Sequence, residues 1–545
     1  MRGLIMDVPL LISSLIEHAA RNHGDTEIVS RTVEGPIHRY TYTDAHRRVK
    51  QLANALTALG VKSGDRVGTL AWNTYRHYEI YFAVPGMGAV CHTINPRLFP
   101  DQLEYIVNHA SDRFLFVDLN LLPIAEKFAP AAPKLEGVVV MTDRAHMPKS
   151  DVIGNLICYE DLIDGHSDIY EWPVFDEHNA SSLCYTSGTT GNPKGVLFSH
   201  RANVIHSFAA SMPDAMNISA RDVVMPIVPM FHVNAWGIPY VTTMTGAKQV
   251  LPGPKMDGAS IHELLEGEGV TFTAAVPTIW LLLLAFMREQ KKGLSTLKSV
   301  IIGGSACPRS MMEAFGEEYG ATVRHAWGMT EMSPLGTINT PLGKHAGLSK
   351  KEMYDLAEGQ GRPLYGVEMK IVDDAGKELP RDGKAFGELL VRGPWVSSAY
   401  FEVDHSPAHE REPGWFATGD VCTLDQNGFM RITDRSKDVI KSGGEWISSI
   451  DLENIAVGHP EVAEAAVIGV HHPKWDERPL LLIVRRPGSS LRKDEMLRFY
   501  DGKIASWWLP DDVVFVDELP HTATGKLLKT KLRDDFHDYV LPTAG

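Results

Sequence analysis

Residues 297–304 read "LKSVIIGG", a short apolar run closed by two glycines, and runs of this kind decide the fold. Similar runs are "RFLFVD" at 113–118 and "GVVVMTD" at 137–143, and helix-like segments such as "TYTDAHRRVKQLANALTALG" at 41–60 alternate with them. This alternation is typical of parallel sheets covered by helices. The sequence therefore predicts an α/β fold built on helix-covered sheets.

The pattern changes beyond about residue 360, where "GVEMKIVDDAGKELP", "GELLVRGP" and "GFMRITDR" predict strands separated by the turn pairs Ala375-Gly376 and Asn427-Gly428. We expect a β-rich subdomain at about 360–436, closing a large N-terminal domain at 1–436. After "DRSKDVIKSGGEWIS" the chain returns to helix and strand in "SIDLENIAVGHPEVAEAAVIGV". Residues 437–545 are therefore predicted to form a small, mobile α+β domain.

The overall composition excludes several classes of protein. The 545 residues carry a formal net charge of -15, which argues against a broad surface for nucleic acid or anionic membranes. Five dispersed cysteines without a CxxC pair indicate neither a disulfide framework nor a thiolate zinc site, and they fit a reducing cytoplasm. A homodimer is the default expectation for a soluble oligomer.

Two apolar segments could be mistaken for membrane or export signals. "IWLLLLAFM" at 279–287 is shorter than the roughly 20 residues that a membrane span needs, so it is predicted to be a buried helix. "MDVPLLISSLIEHAA" at 6–20 is interrupted by Glu17 and His18 and lacks a cleavage pattern. We interpret it as an amphipathic helix.

Residues 184–197, "CYTSGTTGNPKGVL", combine hydroxyls and glycines with one lysine. They could form a polar surface turn, because these residue types are common in turns. They could also cradle phosphate, with close backbone approach at the glycines, hydroxyl donors and a positive charge. The residues concerned are Thr186, Ser187, Gly188, Thr189, Thr190, Gly191, Lys194 and Gly195. The Walker pattern is excluded, since Lys194 is followed by glycine rather than Ser or Thr.

Five further stretches carry candidate functional residues, although each has an ordinary structural interpretation when taken alone. His232 and Trp236 would share a face if their segment were helical, but both types are also common in cores. A strand-to-helix turn would explain the pair Gly303-Gly304, and Asp420 or Arg435 could be a plain surface charge. The stretches are "PMFHVNAWG" at 229–237, "GGSACP" at 303–308, "WGMTEMSP" at 327–334, "WFATGD" at 415–420 and "ITDRSKD" at 432–438.

Together with "LPHTATGKLLK" at 519–529, these stretches resemble the adenylate-forming acyl-CoA synthetase superfamily. The motifs occur in the family's order over nearly the whole chain. "HHPKWDERP" at 471–479 is similar to the medium-chain fatty acid and 3-methylmercaptopropionate CoA ligase branch. The resemblance implies that "TSGTTGNPKG" holds the β- and γ-phosphates of ATP, with its glycines giving the loop its reach.

The resemblance also implies roles at the nucleotide. Trp327 and the backbone of Gly304 and Ser305 would sandwich the adenine, and a tyrosine is more usual in the family at the tryptophan's position. Asp420 would accept from the ribose hydroxyls, with Arg435 reinforcing that contact. Thr330 would touch the α-phosphate, and Glu331 would hold Mg²⁺.

At the acid, the resemblance implies that His232 flanks the carboxylate and that Trp236 and Gly303 line the acyl pocket. Lys526 would bridge the acyl carboxylate and the adenylate. Lys437 would be the hinge between the domains, and Gly443 and Gly444 would face a channel for coenzyme A after the C-terminal domain rotates.

The function that the resemblance implies is an acid:CoA ligase. ATP would activate a short- to medium-chain carboxylic acid, with 3-methylmercaptopropionate among the candidates, to an acyl adenylate, and coenzyme A would then take the acyl group. One alternative is transfer to a carrier protein or to oxygen. Another is a noncatalytic protein that binds acyl adenylates, which Glu331 and Lys526 disfavour because binding alone needs no charge-stabilising lysine.

Overall fold

The structure of this chain is a computed structural model that describes residues 1, 3–186, 192–443, 445–521 and 527–544, with Glu445 and Trp446 described in their backbone only. Ser187, Gly188, Thr189, Thr190, Gly191, Gly444 and Lys526 therefore lie outside the described residues or atoms. Four sheets are present in the described part, two large and two small.

The first large sheet has seven strands and includes two of the runs that the sequence analysis identified. All neighbouring strands are parallel except the last two, which form an antiparallel pair around the predicted phosphate loop. In spatial order the strands are Leu156–Cys158, Gly137–Met141, Phe114–Asp118, Arg66–Leu70, Val90–Thr93, Ala180–Tyr185 and Gly195–Ser199.

The second large sheet has nine strands, parallel at its centre and antiparallel at both edges. Its parallel pair Glu27–Arg31 and Lys248–Leu251 joins distant parts of the chain. In spatial order the strands are Arg362–Pro363, Leu335–Ile338, Thr322–Gly328, Ser299–Ile302, Phe272–Ala275, Val223–Pro226, Lys248–Leu251, Glu27–Arg31 and Ile37–Thr41.

Helices surround these sheets, and one continuous hydrophobic core contains buried residues of both, such as Phe116 from the first and Ile301 from the second. Burial of apolar surface between layers is the main stabilising contribution in such folds. The right-handed α-helices of the described part are Ser13–Asn22, Tyr42–Ala58, Tyr75–Gly86, Pro100–Ala110, Leu122–Phe128, Tyr159–Ile163, His200–Ser211, Ile238–Thr245, Gly258–Gly267, Pro277–Gln290, Arg309–Glu313, Lys350–Ala357, Pro407–Glu410, Ser449–Val457, Lys493–Phe499 and Lys529–Asp535.

A four-stranded antiparallel sheet follows, at the place where the sequence predicts a β-rich subdomain. Gly376 and Gly428, the second residues of the two predicted turn pairs, have φ of 81° and 84°. Glycine reaches this left-handed region without steric penalty. The strands are Glu368–Val372, Phe386–Arg392, Phe416–Leu424 and Met430–Arg435.

The C-terminal part has its own five-stranded sheet and its own hydrophobic clusters, which draw on residues from Ile440 onward. At the junction, Ser449 N donates to Asp434 Oδ2 at 2.7 Å, and within the C-terminal part buried Lys529 pairs with Glu453 at 2.7 Å. In spatial order the four strands on the main path are Glu445–Ile447, Ile440–Ser442, Asp476–Arg485 and Val462–His472, and Asp512–Val516 pairs with Asp476–Arg485.

The predicted fold class is confirmed, with one correction. The helix Pro277–Gln290 contains the run "IWLLLLAFM", but only one face is buried, and Leu281 and Leu282 are exposed. Since a helix turns once every 3.6 residues, an unbroken apolar run places some of its side chains on the outer face. In the described part of the chain, no helix is long and apolar enough to cross a membrane. The domain boundary at 436/437 stays a prediction.

Candidate active site

A cavity of about 950 Å³ lies between the two large sheets, the four-stranded sheet and the start of the C-terminal part. It brings together residues that are far apart in the sequence. The predicted site residues that line it are Thr186, Lys194, His232, Trp236, Gly303, Gly304, Trp327, Thr330, Glu331, Arg435 and Lys437. Ser305 and Gly443 are not among the lining residues, and Asp420 reaches the cavity through its contacts with Trp327 and Arg435.

The two ends of the predicted phosphate loop are fastened to each other. Thr186 N donates to the carbonyl of Lys194 at 2.9 Å, and Lys194 N donates to Thr186 Oγ1 at 3.2 Å. Tyr185 and Gly195 are paired across the flanking strands. This strand pair holds Thr186 and Lys194 at the cavity, where a hydroxyl and an ammonium group are available to an anion.

Glu331 and Lys194 are linked by Tyr400, which also lines the cavity. Tyr400 OH donates to Glu331 Oε1 at 2.6 Å, and Lys194 Nζ lies 4.9 Å from the centre of the Tyr400 ring. Burial, together with the Glu331 carboxylate, raises the pKa of Tyr400, so the phenol keeps its proton and remains a donor. One tyrosine thus contacts the carboxylate through its hydroxyl and the ammonium group through its ring.

Trp327 contacts the carboxylate predicted to bind ribose. Its Nε1 donates to Asp420 Oδ2 at 2.8 Å, while Asp420 Oδ1 lies 3.5 Å from Arg435 Nε. Asp420 and Arg435 are direct partners across two antiparallel strands, which explains why the sequence places them on one face. A tyrosine at position 327 would have a different donor geometry, so the indole N–H gives this carboxylate a specific orientation.

Gly304 has φ of 81° and is exposed at the cavity, beyond the end of strand Ser299–Ile302. Behind it, the buried His325 ring contacts the backbone of Ser305 and pairs through Nδ1 with the carbonyl of Glu358 at 2.9 Å. Burial lowers the pKa of His325 to about 4, so the ring is neutral near pH 7. Gly304 and Trp327 line one cavity, as the predicted adenine site requires.

Another part of the cavity lining is apolar and includes Trp236 and Gly303. A Cβ added at Gly303 would lie 3.0 Å from the carbonyl oxygen of Ala326 and 3.2 Å from the Trp236 ring, so a side chain here would crowd the tryptophan. Further apolar residues of the lining include Met216, Ile301, Ala326, Pro334 and Leu335. Below, the acyl end is the name for the part predicted to hold the acid, which comprises Trp236, Gly303 and these five residues. The nucleotide end is the name for the part predicted to hold the nucleotide, which comprises Glu331, Tyr400, Trp327, Asp420 and Arg435.

The segment between His232 and Trp236 is helical but left-handed, so the expectation of an ordinary helical face is wrong here. Residues Val233, Asn234, Ala235 and Trp236 have φ of 46°, 53°, 49° and 57°. This conformation costs an L-residue about 1 to 2 kcal/mol because Cβ approaches the carbonyl oxygen. We call Val233–Trp236 the left-handed turn. The four residues of the turn, "VNAW", include no glycine to signal it.

The predicted hinge and channel residues lie on either side of the start of the C-terminal part. Lys437 is exposed and lines the cavity two residues after the strand that ends at Arg435. Gly443 has φ of 61°, its N donates to the carbonyl of Trp475 at 2.7 Å, and an added Cβ would come within 2.8 Å of the Trp475 ring. Trp475 belongs to the stretch "HHPKWDERP".

The sequence analysis missed Tyr400 and Asn234. Tyr400 lies in "SSAYFEVD", which has no phosphate-loop composition, and its role depends on contacts with residues 69 and more positions away. Asn234 was visible within "PMFHVNAWG". Asparagine is enriched in left-handed backbone, and that tendency is the one signal that could have identified it.

The residues around Glu331 fit a magnesium ion that is shared with phosphates. Among the described residues, no group of three or more His, Cys, Asp or Glu side chains is arranged to hold a metal. Mg²⁺ is usually held by one or two carboxylates together with substrate phosphates and water. The buried Glu331 carboxylate, beside the phosphate-loop ends, supplies a donor of the required type.

Comparisons with known proteins match the whole length of this chain. The family model described as "AMP-binding enzyme" matches residues 16–401, and "AMP-binding enzyme C-terminal domain" matches residues 451–526. Among curated relatives, a 3-methylmercaptopropionyl-CoA ligase of Ruegeria lacuscaerulensis is 55% identical over 538 residues, covering 99% of each chain. A medium-chain-fatty-acid–CoA ligase of Ectopseudomonas oleovorans is 51% identical over 541 residues, covering 99% of this chain and 98% of the relative.

Solved structures share the fold. The anthranilate CoA ligase AuaEII in complex with anthranoyl-AMP has a TM-score of 0.85 at 26% identity, over 97% of this chain and 98% of that one. ATP-bound MatB from Rhodopseudomonas palustris has a TM-score of 0.81 at 25% identity, over 96% and 99%. This chain is therefore similar, throughout its length, to enzymes crystallised with the nucleotides that the sequence motifs predict.

Proposed function

The chain belongs to the AMP-binding enzyme family and is an ATP-dependent acid:CoA ligase, and we propose that its acid is a short- to medium-chain aliphatic carboxylic acid, including methylthio-substituted propionate. The observation that carries this proposal is the apolar end of the cavity, closed by Trp236 against Gly303. The similarity to ligases of 3-methylmercaptopropionate and of medium-chain fatty acids supports it.

The reaction has two half-reactions. The acid carboxylate attacks the α-phosphorus of ATP and pyrophosphate leaves, giving an acyl adenylate. The thiol of coenzyme A then attacks the acyl carbonyl, and AMP leaves. We propose no covalent enzyme intermediate, because positioning and electrostatic stabilisation are sufficient sources of rate acceleration for these steps.

At the nucleotide end, we propose that Trp327 stacks on the adenine opposite Gly304 and Ser305, and that Asp420 accepts from the ribose hydroxyls. The indole N–H and Arg435 hold that carboxylate in place, which supports the assignment. Thr330 would contact the α-phosphate. Thr186 and Lys194, with the loop that connects them, would bind the β- and γ-phosphates.

We propose that Glu331 holds Mg²⁺, with Tyr400 orienting the carboxylate. A bound magnesium ion would offset negative charge on the phosphate oxygens. His232 would lie beside the acid carboxylate, and Trp236 and Gly303 would bound its tail. Lys526, outside the described residues, is proposed to bridge the acyl carboxylate and the adenylate.

The proposal for the domains is that residues 1–436 and 437–545 move relative to each other about Lys437. Separate hydrophobic clusters beyond Ile440 support two units. After rotation, Gly443 and Gly444 would face the channel for coenzyme A. We also propose a cytoplasmic homodimer, for which light scattering on the purified protein and fractionation of cells are the tests.

The acid is tested by pyrophosphate release across straight-chain, branched, aromatic and thioether acids. An aliphatic tail gains roughly 0.8 kcal/mol for each buried CH₂, about fourfold in kcat/KM, until it reaches the Trp236 side chain that closes the pocket. We therefore expect kcat/KM to rise with chain length and then to drop. Best turnover on benzoates or on palmitate would contradict the proposed acid class.

A further inference from the structure

The left-handed turn joins the two residues proposed to bind the acid, and its conformation needs an external support. All four residues of Val233–Trp236 have positive φ, and the first three are almost fully buried. Non-glycine residues in this region persist only where the surrounding structure determines them. The contacts around the turn should therefore show what holds it.

The side chain of Asn234 fastens the turn to the neighbouring sheet. Asn234 is 1% exposed, its Nδ2 donates to Ser182 Oγ at 3.0 Å, and its Oδ1 accepts from Cys184 Sγ at 3.6 Å. Both partners belong to strand Ala180–Tyr185, which leads into the phosphate loop. Asparagine is also one of the few residues besides glycine that enters left-handed backbone readily.

We propose that Asn234 is a positioning residue for acid specificity, because its amide holds the left-handed turn and thereby sets where Trp236 closes the acyl pocket. The inference rests on the proposed function in one respect, that the acyl tail lies against Trp236. Trp236 lies two residues after Asn234, and its ring occupies the space over Gly303. If the turn relaxed to right-handed or extended backbone, the direction of the Trp236 side chain would change.

The rest of the segment is held independently, so the loss of Asn234 should act locally. Upstream, Asn73 Oδ1 accepts from Met230 N at 2.7 Å, and Asn73 Nδ2 donates to the carbonyl of Pro226 at 2.7 Å. Downstream, Gly237 has φ of 74°, and an added Cβ would lie 2.8 Å from His206 Nδ1. The hydrogen bonds of Asn73 hold the upstream end, and Val241 N donates to the carbonyl of Gly237 at 3.0 Å at the downstream end.

The test compares Asn234→Ala with Asn203→Ala. Asn203 is a matched control, since it is 2% exposed and its Nδ2 donates to the same Ser182 Oγ, at 3.2 Å, from a different helix. Both substitutions remove a buried amide and one donor to Ser182, but only Asn234 lies in the turn. The measurement is kcat/KM over a series of straight-chain acids, together with the KM for ATP.

For Asn234→Ala we expect the chain-length limit to move outward. Each additional methylene that the pocket accepts should raise kcat/KM for the longer acid about fourfold relative to the wild type. The KM for ATP should change less than the acid profile. Asn203→Ala should lower stability and keep the wild-type profile.

A second comparison asks whether Asn234 acts through Trp236. Adding Asn234→Ala to Trp236→Ala should cause no further change in the acid profile, because the wall that the amide positions is already absent. Ser182→Ala removes the hydrogen-bond acceptor from the strand side and should shift the profile in the same direction as Asn234→Ala. It serves in place of Asn234→Ala if that variant does not fold.

An unchanged profile in Asn234→Ala or its substitute Ser182→Ala would overturn the proposal, as would an equal shift in Asn203→Ala. An additive shift in the double variant would also contradict it. These outcomes differ from a failure of the proposed acid class, which would appear in the wild-type profile itself. The Asn234 comparison is made relative to whichever acids the wild type uses.

Discussion

At the nucleotide end of the cavity, polar side chains hold one another in place through hydrogen bonds and ion pairs. At the acyl end, the backbone conformation determines where the side chain of Trp236 lies. Trp327, Asp420 and Arg435 are joined by contacts of 2.8 Å and 3.5 Å. At the acyl end, the left-handed turn and Gly303 decide where Trp236 lies. The difference suggests that nucleotide recognition tolerates backbone change better than acid selection, and each of the following predictions tests one side of it.

The largest effect is expected for Lys526→Ala, because Lys526 is the residue proposed to contact both ends at once. Losing one preorganised charged donor typically costs about 10²- to 10³-fold in rate. We expect that loss in adenylation, measured as pyrophosphate release. Thioester formation from a supplied acyl adenylate should largely survive. Similar losses in both steps, with circular dichroism unchanged, would falsify this division of roles.

Lys437→Pro should slow thioester formation more than adenylation, which is the opposite of the effect expected for Lys526→Ala. Proline fixes φ, so it should bias the backbone toward one domain orientation. A bias of about 2 kcal/mol, smaller than the effect of proline inside a helix, would slow thioester formation about 30-fold. Adenylation should be largely retained. Equal slowing of both steps would show that this residue is not the hinge.

Trp327→Phe tests the nucleotide end alone. It keeps an aromatic ring but removes the N–H that reaches Asp420. A hydrogen bond to a charged group is worth at least about 1.5 kcal/mol, so the KM for ATP should rise about tenfold. The preference for ATP over its 2′- and 3′-deoxy analogues should also shrink, because Asp420 would lose its orientation.

Trp280→Phe is the matched control for that substitution. Trp280 is fully buried in another cluster, and its Nε1 donates to the carbonyl of Ala275 at 3.2 Å. The Trp280→Phe variant should be less stable than the wild type and should keep the wild-type KM for ATP. An acid profile that changes as much as the KM for ATP in Trp327→Phe would mean that the two ends are not separately built.

The last prediction concerns the pH dependence of stability rather than a rate or a KM, and it involves His206, which lies behind the acyl end. Burial lowers the pKa of His206 to about 3, and His206 Nε2 accepts from Leu335 N at 3.1 Å. An unfolded histidine titrates near pH 6.5, so this neutral ring stabilises the fold fully above that pH. The contribution falls by about 1.4 kcal/mol per pH unit as the pH drops from 6.5 toward 3.

His206→Asn should remove this contribution, and asparagine can still accept a hydrogen bond. We expect the stability difference between the variant and the wild type to narrow as the pH falls from 6 to 4, in urea unfolding. Titrating groups common to both proteins cancel in the comparison. A difference that stays constant over this range would contradict the assigned protonation state.

The two ends also differ in how far the sequence predicted them. The residues proposed to bind the nucleotide lie in short motifs at strand ends, and the resemblance of these motifs to a known family implied their roles. Asp420 and Arg435 pair across adjacent strands, which brings them together locally. Tyr400 was missed because its partners, Glu331 and Lys194, come from two other segments. Contacts between distant segments leave no local signal.

At the acyl end, the sequence identified Trp236 and Gly303 but not the backbone that relates them. Periodicity predicts right-handed helices, and "VNAW" contains no glycine to mark a change of hand. The exposed Leu281 and Leu282 show the same limit, since an apolar run does not reveal which of its residues face solvent. The fold class depended on periodicity over many segments and was therefore predicted correctly.

The nine-stranded sheet has a consequence for how the protein forms during synthesis. Ile28 pairs with Gln249, so the N-terminal strand remains without its parallel neighbour until some 220 further residues have left the ribosome. At about 5 to 20 residues per second, that interval is roughly 10 to 45 seconds. The C-terminal sheet, by contrast, draws all its strands from residues 440–516. Among the strands that the structure describes, the early strand thus waits longest for a parallel neighbour, and it is exposed to chaperones and to aggregation in that interval.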